Sequence, residues 1–241
     1  FTKQIRLVLF AALLFCSYAG MAQVYVSPSG DDSNNGTAGS PKKSIQAGVD
    51  IASTGQTVFI DPGTYAENVT INKDNITLQG AGSGANGNIV PAVPNPASHT
   101  VISGGAGSRG IQLSGARTNV AILGIAILGH SMEGFFAPAN SSNLILQDLQ
   151  VNGNCTGASG RGGIFVSGNV TNVTITGCAV QNNGPGASAR GIAIWDNYKA
   201  GVTITNNYVV FTACCGIDLN DGTSSGVNIS NNMNGILIYY A

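Results

Sequence analysis

An all-β chain wound as a parallel β-helix, with three short strands per turn, is the fold this sequence predicts. Three observations predict it. The first is a returning tetrapeptide, Gly-Ile-x-Ile and its variants: Gly110-Ile111-Gln112-Leu113, Gly134-Phe135-Phe136-Ala137, Gly163-Ile164-Phe165-Val166, Gly191-Ile192-Ala193-Ile194 and Gly216-Ile217-Asp218-Leu219, at steps of 24, 29, 28 and 25 residues. The second is a series in phase with it, at Asn119, Asn143, Asn172, Gly201 and Gly226, each opening a Val-x-Ile-like run 9 or 10 residues after its partner glycine. Two registered strand signals per period, with the length variation placed elsewhere, describe a solenoid whose repeat is one turn of chain. The third is composition: 34 of 241 residues are Gly and only 9% are charged, against roughly 25% in ordinary domains. Gly and Asn tolerate positive φ, which tight turns between stacked strands require. An antiparallel sandwich also has evenly spaced strands, but it does not need like residues to recur in columns.

The elements follow in order. Residues 1–22 read as a secretory signal: Lys3 and Arg6 form a basic start, Leu7 to Phe15 an apolar run, and Gly20-Met21-Ala22 a small-residue cleavage site. The apolar run is too short to span a bilayer, and no other segment is long enough, so no membrane span is expected. The sequence does not open with Met, and a missing start is expected. Residues 23–56 hold a strand at Val24 to Val26, a polar loop from Ser27 to Pro41, and an amphipathic helix from Ser44 to Ser53 with Ser44 as N-cap. From residue 57 to 241 the solenoid runs, with early strands at Thr57 to Ile60, Asn68 to Ile71, Ile76 to Leu78 and Thr100 to Ile102, interrupted by a Pro- and Gly-rich insertion from Ala81 to Ser98. A third, shorter strand per turn lies at Ala179-Val180 and Tyr208-Val209-Val210; Asn206-Asn207 and Asn231-Asn232 fill the bend before it, where stacked amides could bond up and down the column. Gly235 to Tyr239 arrives only 19 residues after Gly216 with no cap following, so a longer protein is expected.

Within a repeat the alternation is strict: Ile192 and Ile194 face one side, Ala193 and Trp195 the other. Each inward Ile, Val or Leu is worth roughly 1.5–3 kcal/mol when buried. Without the signal the chain carries 8 basic and 11 acidic residues, a charge of about −3, and no basic cluster. Nucleic-acid binding through phosphate contacts has no support. Of the cysteines after the signal, Cys178 occupies a repeat position held by Ile125 and Leu149 and reads as core. Cys155 could pair with Cys214 or Cys215, which, being adjacent, are expected to point different ways.

The run Ser27-Pro28-Ser29-Gly30-Asp31-Asp32-Ser33-Asn34-Asn35-Gly36-Thr37, then Ser40-Pro41, Ile45-Gln46-Ala47 and Pro62-Gly63-Thr64-Tyr65-Ala66-Glu67, resembles the opening of the secreted right-handed parallel β-helix proteins of the pectate-lyase-like superfamily. The resemblance implies that the helix caps the solenoid and that the Gly-Ile-x-Ile strands line a carbohydrate groove. It also implies that Gly153 to Gly162 and Gly184 to Arg190 are the loops shaping that groove. The paired-aspartate blocks of pectin methylesterases and the Asn-Thr-Asp, Asp-Asp and Gly-His-Gly motifs of polygalacturonase-type hydrolases are missing from their places, which disfavours both reactions.

Candidate site residues follow from the register. Asp196 and Asp221 each lie five residues after a repeat glycine, one rung of about 4.7–4.9 Å apart, and Asp218 adds an outward carboxylate. Such a cluster suits Ca²⁺; equally, these are solvated turn aspartates. A lyase of this superfamily also needs a base. Arg190 and Arg109, one residue before a repeat glycine, and Arg161, two before, fringe the same face; Arg190 and Arg161 are the catalytic candidates, or these arginines merely solubilise the rim. Trp195, the sole tryptophan, and Phe165 point outward and could stack a sugar or lie under a loop; Asn220 joins them as a substrate-binding candidate. Lys199 is expected exposed in a bend, and Glu67 and Tyr65 structural. The expected protein is a secreted or cell-surface monomer directed at polysaccharide. Either it is a calcium-assisted lyase of acidic glycans, or it is a non-catalytic adhesive solenoid or spacer; the sequence leaves open whether it is an enzyme.

Overall fold

A computed structural model describes residues 23–85, 91–104, 108–157, 161–184, 189–195, 198–210, 214–220 and 222–234. The proposed signal segment and Gly235 to Tyr239 therefore lie outside the described residues, as do parts of both predicted groove loops.

The strands form three sheets, and every pairing between them is parallel. The Gly-Ile-x-Ile strands make one sheet in strict sequence order, each paired to the copy before and after it. Val69, Ile111, Phe135, Ile164, Ile192 and Ile217 stack in one register column, each fully buried. Two positions on, Ile71, Leu113, Ala137, Val166, Ile194 and Leu219 line the same interior. Where Phe135 enlarges one column, Ala137 shrinks the next, so the turn keeps its volume. The Asn/Gly-initiated strands form a second sheet and the short third strands a third, and all three contribute to one continuous core.

The repeat glycine has a steric cause. A Cβ on Gly110 would lie 2.2 Å from Ile127 Cγ2, and one on Gly134 would lie 2.5 Å from Val151 Cγ1. The chain turns from the third sheet into the Gly-Ile-x-Ile sheet too tightly for any side chain. The Asn/Gly series has a different cause: Asn119, Asn143, Asn172, Gly201 and Gly226 all take positive φ, between 52° and 62°. Three of the asparagines also form a ladder, Asn119 to Asn75 at 2.6 Å, Asn143 to Asn119 at 2.8 Å and Asn172 to Asn143 at 2.9 Å. The expected amide stack before the third strand is present, with the Asn207 amide donating to Asn232 Oδ1 at 2.9 Å.

The helix runs Ile45–Ile51, and Ser44 Oγ accepts from the Ala47 N–H at 3.2 Å. Glu67 reaches across from the solenoid to take the Ile45 and Gln46 N–H groups at 2.7 and 2.9 Å, while the Tyr65 hydroxyl donates to the Asp61 carbonyl. Asp32 accepts from the Lys43 and Ser44 N–H groups. The opening motif is thus a clamp that satisfies the orphan donors at the helix start. Unpredicted strands include Gly63–Tyr65, which begins the third sheet, and the two-residue strands Lys199–Ala200, Ser224–Ser225 and Met233–Asn234.

Two expectations fail. Lys199 is fully buried, its Nζ donating to the Asn220 carbonyl at 2.9 Å, because Lys199–Ala200 is itself a strand pairing with Val170–Thr171 on one side and Ser224–Ser225 on the other. Cys214 and Cys215 do not diverge; their Sγ atoms are 2.6 Å apart. They precede the strand Ile217–Asn220, so strand alternation does not govern them. Cys178 is buried core as expected, its thiol pushed up to about 12 by that burial. Cys155 is likewise buried and free, bonding to the Gly162 carbonyl.

Candidate functional site

The same strands that send isoleucines inward carry a second, smaller apolar cluster on their outer face: Phe165, Ala193 and Trp195, with Phe136 packed against them. The register explains it. Gln112, Phe136, Phe165, Ala193 and Asp218 occupy one outward column, the third residue of each repeat. Ser167, Trp195 and Asn220 occupy the next outward column. Phe136 and Phe165 have centroids 5.7 Å apart, and the Trp195 ring stands edge-on to Phe165 at 5.5 Å. Both Phe165 and Trp195 are only 8% exposed.

Arginines close over these rings. The Arg109 guanidinium lies 3.9 Å from the Phe136 centroid; Arg190 and Arg161 lie 4.3 and 5.1 Å from that of Trp195. Cations over aromatic faces are favourable, more so where water is thinned. Each end of the row is anchored by a carboxylate. Glu133, 1% exposed, takes Arg109 Nε at 2.7 Å on one oxygen and the Arg161 backbone N–H at 2.9 Å on the other. Asp218, 2% exposed, takes Arg190 Nε at 2.8 Å and the Trp195 indole N–H at 3.0 Å, both on Oδ2. Its Oδ1 is buried with no hydrogen-bond partner. A cleft of about 440 Å³ on this face is lined by Arg109, Glu133, Phe136, Arg161, Phe165 and Trp195 among others, with Asp218 behind Trp195 rather than in its lining.

Of the sequence-predicted residues, Arg161, Arg190, Trp195, Phe165 and Asp218 come together here. Asn220 adjoins Trp195 in register, with its carbonyl occupied by Lys199. Asp196 and Asp221 lie outside the described residues, so their spacing carries no statement. Among the described residues no group of three or more His, Cys, Asp or Glu could hold a metal. Asp218 is already the counter-ion of Arg190. A guanidinium on a carboxylate opposes a cation on the same group, so the described residues do not by themselves fit the expected Ca²⁺. Glu133 and Phe136 were missed by sequence reasoning. Both were findable, since Glu133 precedes its repeat glycine by one, as Arg109 and Arg190 do, and Phe136 shares the repeat position of Phe165.

Comparison with known proteins places the chain. A sequence profile described as the Pel9A-like right-handed β-helix region matches residues 24–233. A pectate lyase, PEL9, of Emericella nidulans is 44% identical over 66 residues, 27% of this chain and 16% of that protein. Among solved structures, a rhamnogalacturonan lyase superposes with a TM-score of 0.56 at 16% identity, covering 86% of this chain and 63% of its own. Pectate lyase Pel9A gives 0.51 at 17%, covering 90% and 60%. The chain thus spans less than two thirds of the length of these relatives.

Proposed function

Because this chain belongs to the Pel9A-like right-handed β-helix family, we propose that it is a polysaccharide-directed protein of the lyase type. Its substrate would be an acidic glycan laid along the outer face of the Gly-Ile-x-Ile sheet. The observation carrying this reading is Asp218: a buried carboxylate with one oxygen fixed by Arg190 and by Trp195, whose ring lines the cleft, and the other left unpartnered. An orphaned buried acceptor costs about 1–3 kcal/mol, and a sugar hydroxyl offers the donor it lacks. Phe136, Phe165 and Trp195 line the cleft, with Phe136 the partly exposed ring a pyranose could meet, and among the described residues three arginines stand against two carboxylates, a balance that suits a uronate. Secretion, which the N-terminal segment suggests, would bring the protein to such polymers.

Cleavage by β-elimination needs a base for the uronate α-proton, and Arg161 and Arg190 remain the candidates for it. Calcium held by Asp196 and Asp221 is a further proposal, and no step is built on it. One observation favours a second, non-catalytic reading: Arg190 is bound to Asp218, and its nitrogens are donors only, which suits anchoring a carboxylate better than taking a proton.

The test is incubation with polygalacturonate, rhamnogalacturonan and alginate, with and without EDTA, following the ultraviolet absorbance of unsaturated ends alongside direct binding. Rising absorbance supports the lyase. Binding without absorbance supports the adhesive reading, and neither signal on any acidic polymer contradicts both.

A further inference from the structure

The groove ends at a pair of thiols that the glycan reading does not use. Cys215 stands one residue before Gly216, the position that Arg190 holds before Gly191 in the preceding turn. Its carbonyl accepts the Gly191 N–H at 2.9 Å, and the Cys214 N–H donates to the Ala189 carbonyl at 2.9 Å. Both residues are therefore held by backbone bonds to the turn beneath. Cys214 is exposed and Cys215 buried, yet their Sγ atoms sit 2.6 Å apart. That is inside ordinary van der Waals contact, short enough for the two sulfurs to bond without rearrangement of the chain around them, and longer than the covalent S–S length of about 2.04 Å. Cys155 and Cys178 are sealed in the interior, each bonded to a carbonyl.

We propose that Cys214 and Cys215 form a vicinal disulfide, a redox-dependent modification at the groove edge immediately ahead of the strand that carries Asp218. The oxidant is a small or protein disulfide of the kind found in oxidising compartments. The exposed Cys214 thiolate attacks it and releases one thiol. Cys215 then loses its proton and displaces the second thiol from the mixed disulfide. Two cysteines are oxidised and one external disulfide is reduced to two thiols. Burial first, and the neighbouring Cys214 next, push the Cys215 thiol up to about 11, which makes it the resolving partner rather than the attacker. Adjacent Cα atoms are about 3.8 Å apart, below the usual disulfide spacing, so the bond is easier to reduce than a structural one. Oxidation would fuse the two side chains into one rigid ring beside Arg190 and Asp218.

The experiment equilibrates the purified protein with oxidised glutathione in native buffer, unfolds it, alkylates free thiols and digests with trypsin. Residues 200–241 contain no Lys or Arg and no other Cys, while Cys155 and Cys178 fall on separate peptides. The expected result is loss of both alkyl tags from the peptide beginning at Ala200, with a mass two hydrogens lower than its reduced form, while Cys155 and Cys178 stay tagged. In Cys214→Ser, no such loss is expected at Cys215. Tags on both cysteines, a persistent glutathione adduct, or a bond to Cys155 would overturn the proposal. A pair that closes in vitro but is reduced in protein taken directly from cells upholds the inference and counts instead against secretion.

Discussion

Glu67, Glu133 and Asp218 are three carboxylates drawn into the same solenoid, and only one of them has work left to do. Glu67 spends both oxygens on the Ile45 and Gln46 N–H groups, and Glu133 spends both on Arg109 and the Arg161 backbone. Asp218 holds Arg190 and Trp195 with a single oxygen and leaves the other buried and unpartnered. A fully satisfied carboxylate at a helix start or under a guanidinium explains itself as structure. A half-satisfied one, bonded to the indole that lines an aromatic cleft, asks for a ligand.

Substitution breaks the comparison most sharply at Asp218. Asp218→Ala removes the carboxylate that both Arg190 and the Trp195 indole hold, and loss of acidic-glycan binding is expected together with a stability loss of about 3 kcal/mol, read by urea unfolding. Glu67→Ala removes the clamp at the cap. It should cost about 1–2 kcal/mol in the same measurement and leave glycan binding unchanged. A binding defect in Glu67→Ala equal to that of Asp218→Ala would erase the distinction.

Titration sharpens it further. His130 is fully buried, and desolvation holds its pKa below 6.5. Below that value the unfolded chain takes up a proton that the native state refuses, so stability is fully present above about pH 6.5 and declines as pH falls. His130 stands in a column with Asn154 and Asn183, its backbone N–H donating to Asn154 Oδ1 at 3.0 Å as the Asn154 backbone N–H does to Asn183 Oδ1. His130→Asn continues that ladder, and a shallower acid-side decline is expected in thermal melts between pH 7 and pH 5. The smallest effect belongs to the outer ladder. Asn143→Gly keeps the positive φ of 52° but loses two amide bonds, and a drop of about 1 kcal/mol is expected, visible only as a small shift in urea midpoint.

The winding was legible because its causes are local. A glycine stands where Ile127 or Val151 blocks any Cβ, an Asn or Gly where φ turns positive, and branched residues on alternate positions. The outer face was legible only as columns. Counting from each repeat glycine brings Arg190, Trp195 and Asp218 to one face, but it does not reveal that Asp218 binds the other two. The same count contains Glu133 and Phe136, but not the Arg109 and Arg161 bonds that draw Glu133 into the face. Lys199 was misread because a bend in one turn had become a two-residue strand between neighbours. Cys214 and Cys215 were misread because alternation was applied ahead of a strand. Asp196 and Asp221, on which the calcium expectation rests, fall outside the described residues.

The most direct measurement uses the sole tryptophan of the sequence, which is also the residue Asp218 holds. Trp195 fluorescence is followed while polygalacturonate or neutral dextran is added to the wild-type protein and to Asp218→Ala. A saturable change with the acidic polymer alone, absent in the variant, is the expected result. An unchanged signal, or an equal response to dextran, would contradict the assignment of this face as the glycan groove.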